Sequence, residues 1–141
     1  MSVTSAIPYI NFDGNASEAI EFYVSVLGAD VRERLMFDDM NEHPFGDAAN
    51  GRVMHSSLKI GDAHIMIGDV PPGFPYTPGG NVSVNLGWDE LAPMAEAFAA
   101  LGDGGKVSMD LHDAFWGATF GMLTDRFGVQ WMFNGPAKKP E

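Results

Sequence analysis

Two stretches of this chain read as copies of one another. The apolar-striped segment from Ala19 to Gly28 ends on Leu-Gly, and the segment from Pro93 to Gly102 ends the same way after a step of 74 (102 − 28). Each is preceded by an alternating, strand-like run and followed by further strand-like runs. A single unit of this kind cannot bury its own apolar face, so its use twice in 141 residues predicts an α+β domain of two βαβββ modules. The modules are expected at about 5–68 and 81–134, joined by a Pro/Gly-rich linker at 69–80 that holds Pro71, Pro72, Pro75 and Pro78.

Composition narrows the function classes. A hydrophobic content of 45% fits a packed globular chain. A net charge of −11 with only eight Lys and Arg argues against nucleic-acid binding, which needs clustered cations. The absence of cysteine removes disulfides, thiolate catalysis and Cys-held metals. No apolar run approaches the ~20 residues of a membrane span, and Met1 to Ala6 lack a basic or apolar leader pattern. The expectation is a cytoplasmic protein without a membrane partner.

In the first module, Ile7–Phe12 reads as a strand, then Asn15 or Ser17 as the cap of a helix that stops at Gly28. Strands are expected at Val31–Phe37, Val53–Ile60 and His64–Ile67, the last two joined by a two-residue turn at Gly61-Asp62. The polar stretch Asp38–Asn50, flanked by Met36 and Met40, reads as a loop, either a lid or an unstructured connection. The second module repeats the plan: strand Asn81–Leu86, helix about Leu91–Leu101, strand Lys106–Met109, a loop through His112 and Trp116, and strands Ala118–Thr124 and Val129–Phe133. The polar tail Gly135–Glu141 is expected to fray.

Strand alternation separates two faces. Val82, Val84 and Leu86 oppose Asn81, Ser83 and Asn85, and the step of 74 sets Tyr9 against Ser83 and Asn11 against Asn85. Ser56 and Leu58 oppose His55, Ser57 and Lys59; Ile65 and Ile67 oppose His64 and Met66; Trp131 and Phe133 oppose Gln130 and Met132. The apolar set suits a face covered by helices on the outside. The mixed set, with its Met, Tyr and amide side chains, reads as the wall of a small-molecule pocket, or else as a solvated or dimer-buried face.

The runs Pro8–Ala16, Ala19–Tyr23, Met54–Asp62, Phe115–Gly117 and Asp125–Trp131 together resemble the vicinal oxygen chelate superfamily of glyoxalases, bleomycin-resistance proteins and extradiol dioxygenases, and within it the PhnB-like branch. The resemblance covers about residues 5–134. It implies a curled mixed sheet around a cavity, with helices on the outer face, usually in a homodimer. It also implies, for the metalloenzymes of the superfamily, a divalent ion held by His, Glu or Gln side chains at four strand positions. Those positions fall here on Pro8 or Tyr9, Met66, Ser83 and Met132, which is a poor donor set for such an ion. A metal moved to His55 and His64 fails on distance: in the hairpin register they stand four residues apart, about 13 Å. His43, His112, Glu42, Asp47, Asp69, Asp110 and Asp113 remain as loop residues that could swing in.

The branch has also carried a methyltransferase label. Gly102-Asp103-Gly104-Gly105 closes a helix before a strand, the reverse of a cofactor-binding glycine loop, and no G-x-S-x-G nucleophile elbow occurs.

The expected function is therefore a metal-free protein, without a cofactor, that binds an amphipathic small molecule in its sheet pocket. Expected ligand contacts are Tyr9, Asn11, Ser57, His64, Met66, Ser83, Asn85, Trp116, Phe120, Met122, Gln130 and Met132. His55 is the candidate acid or base, or a neutral residue hydrogen-bonded to Ser57 or Tyr9. Trp116 would either stack on a flat ligand or seal the core. The alternatives are a metal-dependent lyase, isomerase or dioxygenase with relocated ligands, and a structural homodimer without a ligand.

Overall fold

The computed structural model describes residues 2–137, which divide into two compact units, one up to Thr77 and the other from Pro78. In the first, β1 (Tyr9–Phe12), α1 (Ala16–Leu27), β2 (Asp30–Met36), β3 (Val53–Ile60) and β4 (Ala63–Asp69) follow in order. In the second, β5 (Val84–Gly87), α2 (Leu91–Gly102), β6 (Lys106–Asp113), β7 (Thr119–Thr124) and β8 (Gln130–Gly135) repeat that βαβββ plan. Each unit forms its own open, four-stranded mixed sheet, of order β1-β4-β3-β2 and β5-β8-β7-β6. The first strand of each runs parallel to the last, and the remaining pairs are antiparallel.

Each helix lays one apolar stripe on its sheet. Ala16, Ala19, Ile20 and Tyr23 are buried in α1, and Met94, Ala97, Phe98 and Leu101 in α2, both at the i, i+3, i+4, i+7 spacing of one helical face. They meet the inward side chains of the strands: Phe12, Leu58, Ile65 and Ile67 in the first unit, Leu86, Leu123, Trp131 and Phe133 in the second. Phe98 sets its edge on Phe133 at 5.0 Å, and Trp88 stacks on the same ring at 5.5 Å. Gly121 gives Phe98 its room, since a Cβ there would stand 2.8 Å from that ring.

The two Leu-Gly endings are not equivalent. Gly28 lies beyond α1 in the left-handed region (φ 65°), its N–H bonded to the Val24 carbonyl. Gly102 is the last residue of α2, and Asp103 follows as its cap. Matched by buried stripe, Tyr23 corresponds to Leu101, a step of 78 (101 − 23). A repeat read from the Leu-Gly ends is therefore out of phase by about one helical turn.

The expected cap of α1 is also replaced. Asn15 makes no side-chain capping bond, and the Ser17 hydroxyl accepts from Arg34 Nη2 at 2.7 Å. The acceptor comes instead from Asp69 at the end of β4. Its Oδ1 receives the N–H groups of Gly14 (2.8 Å) and Ala16 (3.1 Å), and its Oδ2 that of Val53 (2.9 Å). Placed by sequence in the linker, Asp69 is a buried strand residue that ties the start of α1 to β3. Asp125 does similar work at the β7–β8 turn, accepting from the N–H groups of Phe127 and Val129 and from Trp131 Nε1.

Other boundaries shift for local reasons. β6 runs on to Asp113 and so includes Asp110 and His112, both expected in a loop; irregularities on either side of Met109 break the period-2 pattern there. β5 begins at Val84, leaving Ser83 before the strand and Val82 71% exposed, against its assignment to the covered face. β2 ends at Met36, and two short 3-10 turns, at Phe37–Asp39 and Asp47–Ala49, lie in the connection that follows. Gly135, assigned to the tail, closes β8; residues 138–141 of that tail lie outside the described residues.

Candidate functional site

The sheet faces turned away from the helices carry most of the expected site residues. In the first unit Tyr9 is the cross-strand neighbour of Met66, Met66 of Ser57, and Ser57 of Glu33, making one row across four strands. In the second, Asn85, Met132, Met122 and Met109 form the corresponding row. The position equivalent to Tyr9 is therefore Asn85, a step of 76 (85 − 9), and not Ser83 as the step of 74 implies. Neighbouring strands lie about 4.8 Å apart, so side chains within each row stand in contact range.

His55 shares the face of Ser57 on β3, and Tyr9 reaches it across β4. Its Nδ1 lies 3.3 Å from Tyr9 Oη, and the two rings stack with centroids 5.6 Å apart. The Tyr9 hydroxyl donates to the Met54 carbonyl at 3.3 Å. Gly68 makes this arrangement possible: a Cβ there would collide with the Tyr9 hydroxyl and come within 2.9 Å of the Met54 carbonyl. Partial burial, and secondarily the negative charge of Asp69, raise the Tyr9 pKa above its ordinary value. Asn11 stands exposed beside Gly68. His64 pairs with Lys59 at the hairpin end and is not brought to His55, in keeping with the register read from Gly61-Asp62.

On the second face Phe120 is nearly covered. Trp116 packs on its ring at 5.3 Å and His112 at 6.3 Å, both edge-on. Trp116 is itself half exposed and Phe115 beside it is 97% exposed, so this turn presents an aromatic tip. Met122 and Met132 remain partly accessible. Gln130 is engaged with its own unit: Nε2 donates to the carbonyls of Gly79 and Val82, 3.3 Å each, and holds the approach to β5.

The stretch 38–50 encloses an open, polar hollow of about 670 Å³ lined by Asp38, Glu42, His43, Asp47 and Asn50, among others. His43 is fixed there by Asn50 Oδ1 and by the Phe45 N–H, and lies against the Phe37 and Phe45 rings. Asp38 accepts from the Gly51 N–H at 3.0 Å. That bond, then its own amide, and least the nearby His43, lower its pKa.

Among the described residues no group of three or more His, Asp or Glu side chains is placed to hold a metal ion. At the strand positions that the resemblance assigns to an ion, the first unit offers Tyr9 and Met66, a phenol and a thioether, and the second Asn85 and Met132, an amide and a thioether. Thioether sulfur suits Cu(I) rather than the harder divalent ions, so this set does not fit such a metal.

Sequence reasoning missed Gly68 and Met109, and it placed Asp69 in a loop as a possible ligand where it is a buried strand residue that accepts backbone N–H groups. The first had a usable signal, because a glycine inside a strand marks close approach by another group.

Paired βαβββ units, each with a helix on one sheet face, define the class of fold. A family model for the glyoxalase/bleomycin resistance protein/dioxygenase superfamily matches residues 7–133, and the chain belongs to that superfamily. It is 30% identical over 142 residues to protein YjdN of Escherichia coli K12, across 94% of this chain and 96% of that one. Protein PA1353 from Pseudomonas aeruginosa superposes with a TM-score of 0.86 at 38% identity, covering 96% of this chain and 100% of its own. A Bacillus cereus PhnB protein, named as a 3-demethylubiquinone-9 3-methyltransferase, gives 0.74 at 24% identity, covering 94% and 99%; at that identity the likeness concerns the fold. No helix among the described residues is long and apolar enough to cross a membrane.

Proposed function

We propose that this chain is a metal-free small-molecule-binding member of its superfamily, taking an amphipathic ligand on an open sheet face. The observation that carries this reading is the chemistry of the two rows. Where a metalloenzyme of this fold needs oxygen and imidazole donors, the inner positions are Tyr9, Met66, Asn85 and Met132, with Ser57 and Met122 beside the methionines. Thioethers and aromatic rings bind apolar surface adaptably, and a few uncharged polar groups fix orientation.

The binding contribution is assigned to Tyr9, Asn11, Ser57, His64 and Met66 on the first face and to Ser83, Asn85, Phe120, Met122 and Met132 on or beside the second. Trp116 shields Phe120 and offers its exposed edge to the ligand. Gln130 acts through the 79–82 backbone that it holds. The protein is further proposed to act as a homodimer in the cytoplasm, with no nucleic-acid partner in view of its net charge of −11.

A thermal-shift screen of small aromatic amphiphiles tests the reading, each hit being titrated against the intrinsic tryptophan fluorescence. A saturable ligand whose binding weakens in Met66→Glu and Met132→Glu supports it. Hits that bind those variants unchanged would place binding elsewhere.

A further inference from the structure

The hydrogen bonds around Tyr9 bear on the protonation pattern of His55. A phenol has one proton to donate and two lone pairs to accept with. The Met54 carbonyl can only accept, so the bond of 3.3 Å to it uses the single proton of Tyr9. A Tyr9 oxygen that donates to Met54 has only acceptor capacity left toward His55 Nδ1, an arrangement that calls for the imidazole proton on Nδ1. In a neutral ring Nε2 then carries a lone pair, and among the described residues no hydrogen bond engages it. The tautomer of a histidine is set by the bond its other nitrogen makes.

We infer that Tyr9 and Gly68 are positioning residues that hold His55 with a free acceptor, Nε2, which selects ligands bearing a hydroxyl or N–H donor next to an apolar body. The inference rests on the binding reading above and adds the chemical class of the ligand. Gly68 belongs to the device because only a residue without Cβ lets the Tyr9 ring cross β4 to reach both Met54 and His55. The apolar surface that such a ligand would cover is adjacent: Met66 beside Tyr9 in the ladder, and Leu35 beside His55.

The test has a ligand-free arm. Nitrogen-15 spectra of the folded, full-length protein near pH ~8, where a free imidazole is neutral, distinguish pyrrole-type from pyridine-type nitrogens. The expected result is Nδ1–H with a pyridine-type Nε2 at His55. Tyr9→Phe and, independently, Gly68→Ala are both expected to lose that pattern, the first by deleting the oxygen and the second by displacing it. A wild-type His55 protonated on Nε2, or a pattern unchanged in Tyr9→Phe, overturns the inference.

The second arm uses phenol and anisole, in which a methyl group replaces the donor proton of the hydroxyl. Phenol is expected to bind wild type roughly three- to tenfold more tightly than anisole, the worth of one hydrogen bond. That preference should vanish in Tyr9→Phe. Equal affinities in wild type would overturn the selection for donors while leaving the binding reading intact. If neither compound gives saturable binding, the ligand class is overturned together with the binding reading, whatever tautomer the spectra report.

Discussion

Tyr9 shows how much a single side chain can gather on this fold. It lies at the start of a four-residue strand and 42% of its surface is exposed, yet it touches β3 through Met54 and His55. Burial first, and the Asp69 charge second, hold its pKa above the usual tyrosine range. The folded value being the raised one, the associated stability is complete below the ordinary pKa near 10 and is lost as pH rises through the folded value. Alkaline titration of tyrosinate absorbance should therefore show a late-ionising group among the three tyrosines that is absent in Tyr9→Phe. A Tyr9→Phe protein with the same titration curve, less one ordinary tyrosine, would contradict this assignment. Asp38 works in the opposite sense. The Gly51 N–H, its own amide and His43 hold its pKa low, so its contribution is present above the ordinary carboxylate value near 4 and lost as pH falls through the folded one. The protection of the Gly51 amide, its exchange rate taken relative to the intrinsic rate at each pH, should fall on acidification in wild type and should already be low in Asp38→Ala.

At the scale of elements, the buried carboxylates carry a larger share than any surface ion pair. Asp69 receives three backbone N–H groups and thereby joins the β1–α1 turn to the start of β3. Asp69→Ala leaves three donors without their acceptor and is expected to cost at least roughly 3 kcal/mol, the low end of about 1–3 kcal/mol for each buried group left unpaired. Chemical denaturation measures this. A loss below ~1 kcal/mol would mean that water replaces the carboxylate. By contrast, Arg32 and Asp30 form a largely exposed pair whose removal should change stability by less than about 1 kcal/mol. Element types and much of their placement were legible in the sequence, because hydrophobic alternation and helical stripes follow directly from burial. Val53–Ile60 matches its strand at both ends, and the Gly61-Asp62 turn pairs Lys59 with His64 as the register requires. The long-range device was not legible: nothing near Asn15 shows that its helix is capped from Asp69, since the partners lie 53 to 55 residues apart. The phase of the repeat was misread for a related reason. Leu-Gly is an αL cap in one helix and a buried stripe residue with a terminal glycine in the other, and local sequence does not separate the two.

For the whole molecule, the repeated architecture explains why the family is plain while the chemistry is not. Paired units bury their stripes with whatever apolar residues fit, so the fold persists across relatives at 24–38% identity. The faces away from the helices are free to change, and here they carry phenol, amide, hydroxyl and thioether groups at the inner positions. Tyr9, Met66, Asn85 and Met132 were identified from strand alternation, with the exact match of Tyr9 to Asn85 resolved only by the ladders. What sequence could not supply was the crossing of Tyr9 over Gly68, which depends on contacts between three strands.

The central claim is that binding here proceeds without a metal. The most direct measurement is a titration of the protein, before and after exhaustive dialysis against a chelator, with the strongest hit of the amphiphile screen, metal content being determined on the same samples. The account predicts saturable binding of unchanged affinity in both samples, with no stoichiometric metal in either. About one metal per chain in the untreated sample, with binding lost on chelation and restored by a divalent ion, would contradict it.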